Sequence, residues 1–338
     1  MPGIAIYGAG AVGCVIGGGM ARAGHDVVLI DPWREHVEAM KTVGLQLTLE
    51  GEGTFSVPVK AIHPAELAPE HSFDIIFIAV KSQDTVSAVE SMLPHLADGG
   101  YLVSAQNGIN EDIIAPLIGA ERTVGCVITF AAALPEAGQA VRTTPPGIPA
   151  LIVGEIDGPP TPRLEQLKEL LDNVGPTRLT DNLPGERWAK LINNAMMNPI
   201  AGITGLGSRA IRLNQAARTV AIKIGAEGAY VAHALGVPVE PVLGGIEPAA
   251  LVAEAEGRPT TVVERLVTEA QRRGEGSPSL LQDIGKGRKT EVEHLNGLIV
   301  RRGEEAGIPT PINKAIVGLV NEVEAGRLKP SLDNLQLL

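Results

Sequence analysis

The sequence predicts an α/β domain with a parallel sheet, followed by a domain built entirely of helices. Residues 3–31 have the pattern strand, glycine turn, helix, strand, which is typical of a βαβ unit. Strand-like runs stop after about residue 183, and long helical stretches replace them. The 338 residues exceed the ~250–300 at which one core usually stops growing. We therefore expect two domains, 1–182 and 183–338, with the boundary at Asp181–Pro184.

Short apolar runs define the predicted strands of the first domain. Ile4–Tyr7 and residues 26–30 flank a small-residue helix that ends near Arg22. Residues 73–80 are almost continuously apolar, as in a strand buried on both faces. The stretch 44–60, which begins with alternating apolar and polar residues, predicts an inserted β-hairpin. Further strands are expected at 101–104, 123–129 and 150–153, and helices at 85–96 and 162–174.

The second domain is predicted from apolar periodicity alone. Helices are expected over 187–199, 210–235, 262–271, 280–306 and 313–326.

Composition excludes several classes of protein. The net charge is −11 and no Lys/Arg cluster stands out, so a nucleic-acid partner is not expected. Cys14 and Cys126 are distant and lack a CxxC pattern, which indicates reduced thiols. No apolar segment is long enough for a signal or a membrane span, so a cytoplasmic location without membrane contact is expected. We predict no metal site.

The glycines of the first turn predict a dinucleotide site. Gly8, Gly10 and Gly13 match GxGxxG between a strand and a helix. The first glycine permits the tight turn, the second lets backbone approach the pyrophosphate, and the third lets helix and strand pack closely. The alternative is a tight turn with no ligand. The predicted cofactor-binding residues of this turn are Gly8, Ala9, Gly10, Ala11, Val12 and Gly13.

The end of the second strand bears on which dinucleotide binds. A carboxylate at Asp31 favours NAD, because it can accept a hydrogen bond from the ribose 2′-hydroxyl and repels a 2′-phosphate. Arg34, three residues later, could instead pair with that phosphate or simply be a solvated charge.

Three polar residues of the second domain share one helix face. Lys190, Asn194 and Asn198 are spaced i, i+4 and i+8 among apolar neighbours. Buried asparagines need hydrogen-bond partners or a polar ligand, so this polar stripe is a candidate substrate site. The alternative is a solvated face of an amphipathic helix. Farther on, Ser279 could be an N-cap, and Glu291 by pattern alone is a surface charge.

These residues together resemble the ketopantoate reductase (2-dehydropantoate 2-reductase) family over nearly the whole chain. The matching motifs are Gly8–Gly13, Ala79-Val80-Lys81, Gln106-Asn107-Gly108, Lys190-x3-Asn194-x3-Asn198-Pro199, Ser279-x-Leu-Gln-Asp283, Thr290-Glu291, Asn296-Gly297 and Gly307-Ile-Pro-Thr-Pro. The resemblance implies a Rossmann domain followed by an all-helical domain, as in 6-phosphogluconate dehydrogenase, with the active site in the cleft between them. It also implies NADP(H) as cofactor and a homodimer, to which the predicted helix 210–235 could contribute.

The resemblance also implies roles for individual residues. Lys190 would be the general acid that protonates the carbonyl oxygen as hydride arrives, and Glu291 would position it. A positioned ammonium suits this step because reduction builds negative charge on oxygen. Substrate would be held by Asn194, Asn198 and Ser279, and the cofactor would lie beside Lys81 and Asn107.

Two positions depart from the family pattern. Asp31 stands where the family commonly has a basic residue, and Ser208 stands near where an asparagine often contacts substrate. Ser208 is therefore the predicted substitute for that asparagine in substrate binding. The predicted reaction is therefore reduction of 2-dehydropantoate or a related 2-oxo acid, or NAD-linked oxidation of a 2-hydroxy acid.

Two other functions remain open from the sequence. One is a dehydrogenase of 3-hydroxy acids or polyol phosphates, whose phosphate site would need a basic cluster such as Arg272-Arg273 or Lys286–Lys289. The other is a dinucleotide sensor without turnover, which would have no need for Lys190 and Glu291.

Overall fold

The computed structural model describes residues 2–144, 149–272 and 274–338. The chain divides into two compact units, Met1–Leu183 and Pro184–Leu338.

The first unit alternates strands with helices. Its helices are α1 (Ala11–Arg22), α2 (Arg34–Val43), α3 (Thr85–Met92), α4 (Glu111–Ile118) and α5 (Pro162–Leu171). Its strands are β1 (Ile4–Tyr7), β2 (Val27–Ile30), β3 (Leu45–Leu49), β4 (Gly53–Val57), β5 (Lys60–Ile62), β6 (Phe73–Ile78), β7 (Leu96–Ser104), β8 (Thr123–Ile128), β9 (Ala132–Ala133), β10 (Gln139–Arg142), β11 (Leu151–Glu155) and β12 (Thr177–Leu179).

An eight-stranded sheet organises this unit, in the order β12-β11-β8-β7-β6-β1-β2-β5. Neighbouring strands are parallel except β11, which runs antiparallel to β8. β1 lies between β6 and β2, so the glycine turn at its carboxyl end sits within the sheet rather than at an edge. The predicted Rossmann-type α/β fold is confirmed, and the carboxyl ends of its parallel strands are where such sheets bind ligands.

A second, four-stranded sheet has the order β4-β3-β10-β9. The predicted hairpin is present as the antiparallel pair β3–β4, and β10 adds a parallel partner to β3 that the sequence did not reveal. Helix α1 packs closely between the two sheets through its glycines. A Cβ at Gly17 would collide with Leu29 Cδ2, and one at Gly18 would lie 2.6 Å from Leu45 Cδ2.

The second unit is mostly helical, as predicted. Its helices are α6 (Leu183–Thr204), α7 (Ser208–Leu213), α8 (Gln215–Ala234), α9 (Pro248–Ala255), α10 (Val262–Arg272), α11 (Ser279–Gly285), α12 (Asn296–Ala306) and α13 (Pro311–Glu324). Its described residues add one isolated antiparallel bridge, between Val242 and Ile246. No helix in the described part of the chain has the length and apolar character needed to cross a membrane.

Two predicted long helices are wrong, because each is broken. The stretch 210–235 divides at Asn214, whose side chain accepts a hydrogen bond from the Ala217 N–H and thereby caps α8. The stretch 280–306 divides into α11 and α12, because Gly287 adopts a left-handed φ of +62° that ends the first helix. By contrast α6 is longer than the predicted 187–199 and continues through Pro199.

Candidate active site

The glycine turn follows β1 and leads into α1. Gly8 has φ +96°, and a Cβ there would lie 2.8 Å from backbone atoms of Ala79 and Val80. Its N–H donates to Ile30 O at 2.9 Å, which ties the turn to the end of β2. Only glycine fits this position, because both the backbone conformation and the space exclude a side chain.

The other two glycines have different surroundings. A Cβ at Gly13 would collide with Gly8 O, so this glycine permits the close approach of helix and strand. A Cβ at Gly10 would meet nothing within 4 Å, and no side chain caps the helix that begins after it. Open space beside an uncapped helix N-terminus suits an anionic group, and the residues here fit a dinucleotide pyrophosphate.

Asp31 and Arg34 lie immediately after β2. One Asp31 carboxylate oxygen accepts a hydrogen bond from the Trp33 N–H at 2.9 Å, which holds the carboxylate in a local turn. Arg34 is exposed and is the first residue of α2. The Asp31 carboxylate and the Arg34 guanidinium therefore lie three residues apart, at the position where a dinucleotide-binding fold contacts the adenosine ribose.

Lys81 and Asn107 follow adjacent parallel strands, β6 and β7. The Asn107 carbonyl accepts hydrogen bonds from Ser82 Oγ at 3.1 Å and Asn110 Nδ2 at 2.7 Å. Thr85 Oγ1 accepts from the Gln106 amide at 2.8 Å. Sequence reasoning missed Ser82, Thr85 and Asn110, although polar residues directly after two buried strands were a signal for such a network. These bonds join the two loops beside the glycine turn.

The polar stripe lies on α6 and is mostly buried. Asn194 is 8% exposed and Asn198 is 6% exposed, so the interpretation as a solvated face is wrong. Lys190 is partly exposed. Desolvation, followed by the like charge of Arg187, lowers the pKa of Lys190 to about 8. An amine with that pKa exchanges its proton near neutral pH more readily than an ordinary lysine does.

The structure brings Ser279 to the stripe. Ser279 Oγ donates to Asn198 Oδ1 at 3.1 Å, and the Leu280 N–H lies 3.4 Å from the same oxygen. The N-cap interpretation is wrong, because Ser279 is the first residue of α11 and Pro278 precedes it. Since Oδ1 is engaged as the acceptor, Asn198 can offer its Nδ2 hydrogens to a ligand.

Pro199 interrupts the hydrogen bonding of α6 one residue after the stripe ends. Proline has no N–H, so the Ala195 carbonyl loses its helical donor. Asn296 Nδ2 replaces that donor at 3.3 Å and also donates to Asn313 Oδ1 at 2.9 Å. Asn313 in turn donates to Glu227 at 2.8 Å. The resemblance singled out Asn296 only as part of a motif, and its contact with Ala195 required the tertiary structure.

The remaining predicted site residues differ in burial and in their contacts. Glu291 is 6% exposed, so the surface-charge interpretation is wrong. Ser208 begins α7, and its N–H donates to Gly276 O at 2.8 Å, near the segment that leads to Ser279. Lys286 and Lys289 are exposed, whereas Arg273 lies outside the described residues.

Known proteins match this chain over nearly its whole length. The family model of the ketopantoate reductase PanE/ApbA matches residues 4–158, and the model of its C-terminal domain matches residues 182–324. The 2-dehydropantoate 2-reductase of Pyrococcus abyssi is 32% identical over 326 residues, covering 95% of this chain and 98% of that protein.

Solved structures agree. A PanE/ApbA family ketopantoate reductase from Ralstonia eutropha JMP134 is 32% identical, with a TM-score of 0.78 over 96% of this chain and 99% of the other. D-Mandelate dehydrogenase, solved with NADH and anilino(oxo)acetate, is 24% identical, with a TM-score of 0.80 over 96% and 99%, and shows the shared fold. This chain therefore belongs to the ketopantoate reductase family and is an NAD(P)-dependent oxidoreductase that acts on a CH–OH group.

Proposed function

We propose that this protein interconverts a 2-oxo acid and its 2-hydroxy acid, with 2-dehydropantoate as the first candidate and Lys190 as the acid–base group. The observation that carries the proposal is the lowered pKa of Lys190, about 8, on a helix that also presents two buried asparagines. When bound, NAD(P)H supplies the hydride.

In reduction, the Lys190 ammonium stabilises the negative charge that develops on the carbonyl oxygen and then donates its proton there. In oxidation, the neutral amine accepts the hydroxyl proton. A pKa of about 8 supports both directions, because both protonation states are populated near neutral pH. Glu291, buried and acidic, is proposed to orient the lysine.

Substrate recognition is assigned to Asn194, Asn198 and Ser279, with Ser208 at the periphery. The Ser279–Asn198 hydrogen bond fixes which atoms Asn198 presents, so its Nδ2 can donate to a substrate carboxylate or hydroxyl. A preoriented donor of this kind favours a ligand with oxygen acceptors and disfavours an apolar one.

The cofactor is proposed to be NAD(H), held by the turn Gly8–Gly13 and by Asp31, with Lys81 and Asn107 beside it. The carboxylate after β2 supports this choice, since it repels a 2′-phosphate. NADP(H) would instead use the exposed Arg34. The structure of D-mandelate dehydrogenase with bound NADH, a protein of the same fold, is consistent with this choice.

A spectrophotometric screen tests the function. Wild-type protein is assayed with NADH and NADPH against 2-dehydropantoate and other 2-oxo acids, and with the oxidised cofactors against 2-hydroxy acids. We expect turnover of a 2-oxo acid and a higher kcat/KM with NADH. Turnover confined to polyol phosphates would overturn the substrate class, and preference for NADPH would overturn the role of Asp31.

Two further properties are proposed. One is a homodimer that covers the end of α8, where Tyr230 and Leu235 are 40% and 39% exposed. A reducing, cytoplasmic location is also proposed, since Cys14 and Cys126 are both buried, reduced cysteines. Sedimentation measurements test the first and cell fractionation tests the second.

A further inference from the structure

A buried histidine contacts the backbone of the glycine turn. His36, on α2, is fully buried, and its Nε2 lies 2.8 Å from Ala9 O. The Gly138 N–H donates to the other ring nitrogen, Nδ1, at 2.7 Å. Cys14 Sγ donates to the same Ala9 oxygen at 3.0 Å. The carbonyl between the first two glycines of the motif is therefore held by two side chains.

The bonding pattern determines the state of the ring. Because Nδ1 accepts a backbone N–H, it carries no proton, and the proton of the neutral imidazole must be on Nε2. His36 therefore donates to Ala9 O and accepts from Gly138. The Trp33 ring stacks on the imidazole with centroids 5.3 Å apart, which also restricts its orientation. Burial raises the pKa of the Cys14 thiol, so Cys14 acts here as a thiol donor and not as a nucleophile.

Holding Ala9 O also orients the next amide. The peptide unit is planar and trans, so the Ala9 C=O and the Gly10 N–H point in opposite directions. With the carbonyl held toward His36 and Cys14, the Gly10 N–H faces away from these buried side chains. Gly10 is also the position where a Cβ would meet nothing within 4 Å.

We propose that His36 is a positioning residue for the cofactor: by holding the Ala9 carbonyl it aims the Gly10 N–H at the dinucleotide pyrophosphate. Cys14 assists through the same oxygen. The arrangement acts on dinucleotide affinity and does not depend on which acid is the substrate.

Two substitutions separate the bonds that His36 makes to the Ala9 carbonyl and to the Gly138 N–H. In His36→Gln the amide nitrogen can take the place of Nε2 and donate to Ala9 O, whereas the acceptor for Gly138 is lost. In His36→Asn the amide oxygen can take the place of Nδ1 and accept from Gly138, whereas the donor to Ala9 is lost. Each variant therefore keeps one of these two backbone hydrogen bonds and loses the other.

The measurement is the Kd of NADH and of ADP-ribose, from fluorescence titration and calorimetry. We expect His36→Asn to weaken both by about five- to tenfold, the effect of losing one hydrogen bond, and His36→Gln to stay within about twofold of wild type. kcat at saturating cofactor should be unchanged in both. Equal Kd values for the two variants would overturn the proposal.

A second pair of variants, at Cys14, tests the same proposal if the histidine variants do not fold. Cys14→Ser keeps a donor to Ala9 O, and Cys14→Ala removes it. We expect Cys14→Ala to bind NADH about two- to threefold more weakly than Cys14→Ser. Identical affinities would show that the carbonyl contacts do not orient the turn for the cofactor.

Discussion

The glycine turn and the polar stripe of α6 are built in opposite ways. In the turn, Gly8 is required by its positive φ, and both Gly8 and Gly13 are required by nearby atoms that would collide with a side chain. In the stripe, α6 supplies the spacing, but Asn198 is oriented by Ser279, 81 residues away, and Ala195 by Asn296, 101 residues away. A backbone site can thus be recognised from a short motif, whereas a side-chain site depends on distant partners.

The largest effect on catalysis should come from removing the Lys190 amine from the polar stripe. We expect Lys190→Met to lower kcat by about 10²–10⁴-fold, the usual contribution of a positioned acid–base group, while leaving the Kd of NADH unchanged. The melting temperature should hold or rise, because the substitution removes a desolvated charge. Lys223→Met, on the exposed surface of α8, is the matched control. Wild-type kcat in Lys190→Met would exclude the amine from catalysis.

Two substitutions in the turn should separate strain from ligand contact. Gly8→Ala should lower the free energy of unfolding by about 1–3 kcal/mol, because its φ is positive and the Cβ lies 2.8 Å from backbone. Gly10→Ala should leave stability nearly unchanged but weaken NADH binding, since its methyl group occupies only the open space. Thermal unfolding and fluorescence titration give both quantities. Equal NADH affinity for Gly10→Ala and wild type would argue against this space as the phosphate site.

The pH dependence of catalysis should reflect the ionisation of Lys190 in the polar stripe and not the binding of cofactor by the glycine turn. Because the pKa of Lys190 is lowered to about 8, the protonated acid is lost above that pH. The kcat/KM of reduction should fall about tenfold per pH unit above 8, and that of oxidation should rise up to 8 and then level off. Cofactor Kd measured over the same range is the control. A flat reductive profile between pH 7 and 10 would contradict the assignment.

The smallest effect should come from the contact between Asn296 and Ala195. Asn296→Leu removes the donor to the Ala195 carbonyl, which Pro199 cannot replace. The free energy of unfolding should fall by about 1–3 kcal/mol. Substrate KM should rise a few-fold, because the polar stripe on α6 is displaced. Asn334→Leu is matched, since Asn334 also donates to an α6 carbonyl, that of Ile203 at 2.8 Å. It should lose similar stability without changing KM. Identical KM values for the two variants would show that Asn296 acts on stability alone.

Periodicity and motif spacing predicted the two-part α/β and helical architecture, the β-hairpin and the glycine turn. These features depend on residues close in sequence: an apolar run that must be buried, or a φ that only glycine adopts easily. The breaks near Asn214 and Gly287 were missed although both residue types are helix-ending signals, because apolar periodicity continues past them.

By itself, the sequence determined which backbone conformations are allowed at the turn and which residues share a face of α6. Only the tertiary structure decided that Glu291 is buried, that Ser279 bonds to Asn198 rather than capping its own helix, and that His36 holds Ala9 O. The physical reason is that local sterics act within a few residues, whereas burial and side-chain hydrogen bonds depend on which distant segments the chain brings together.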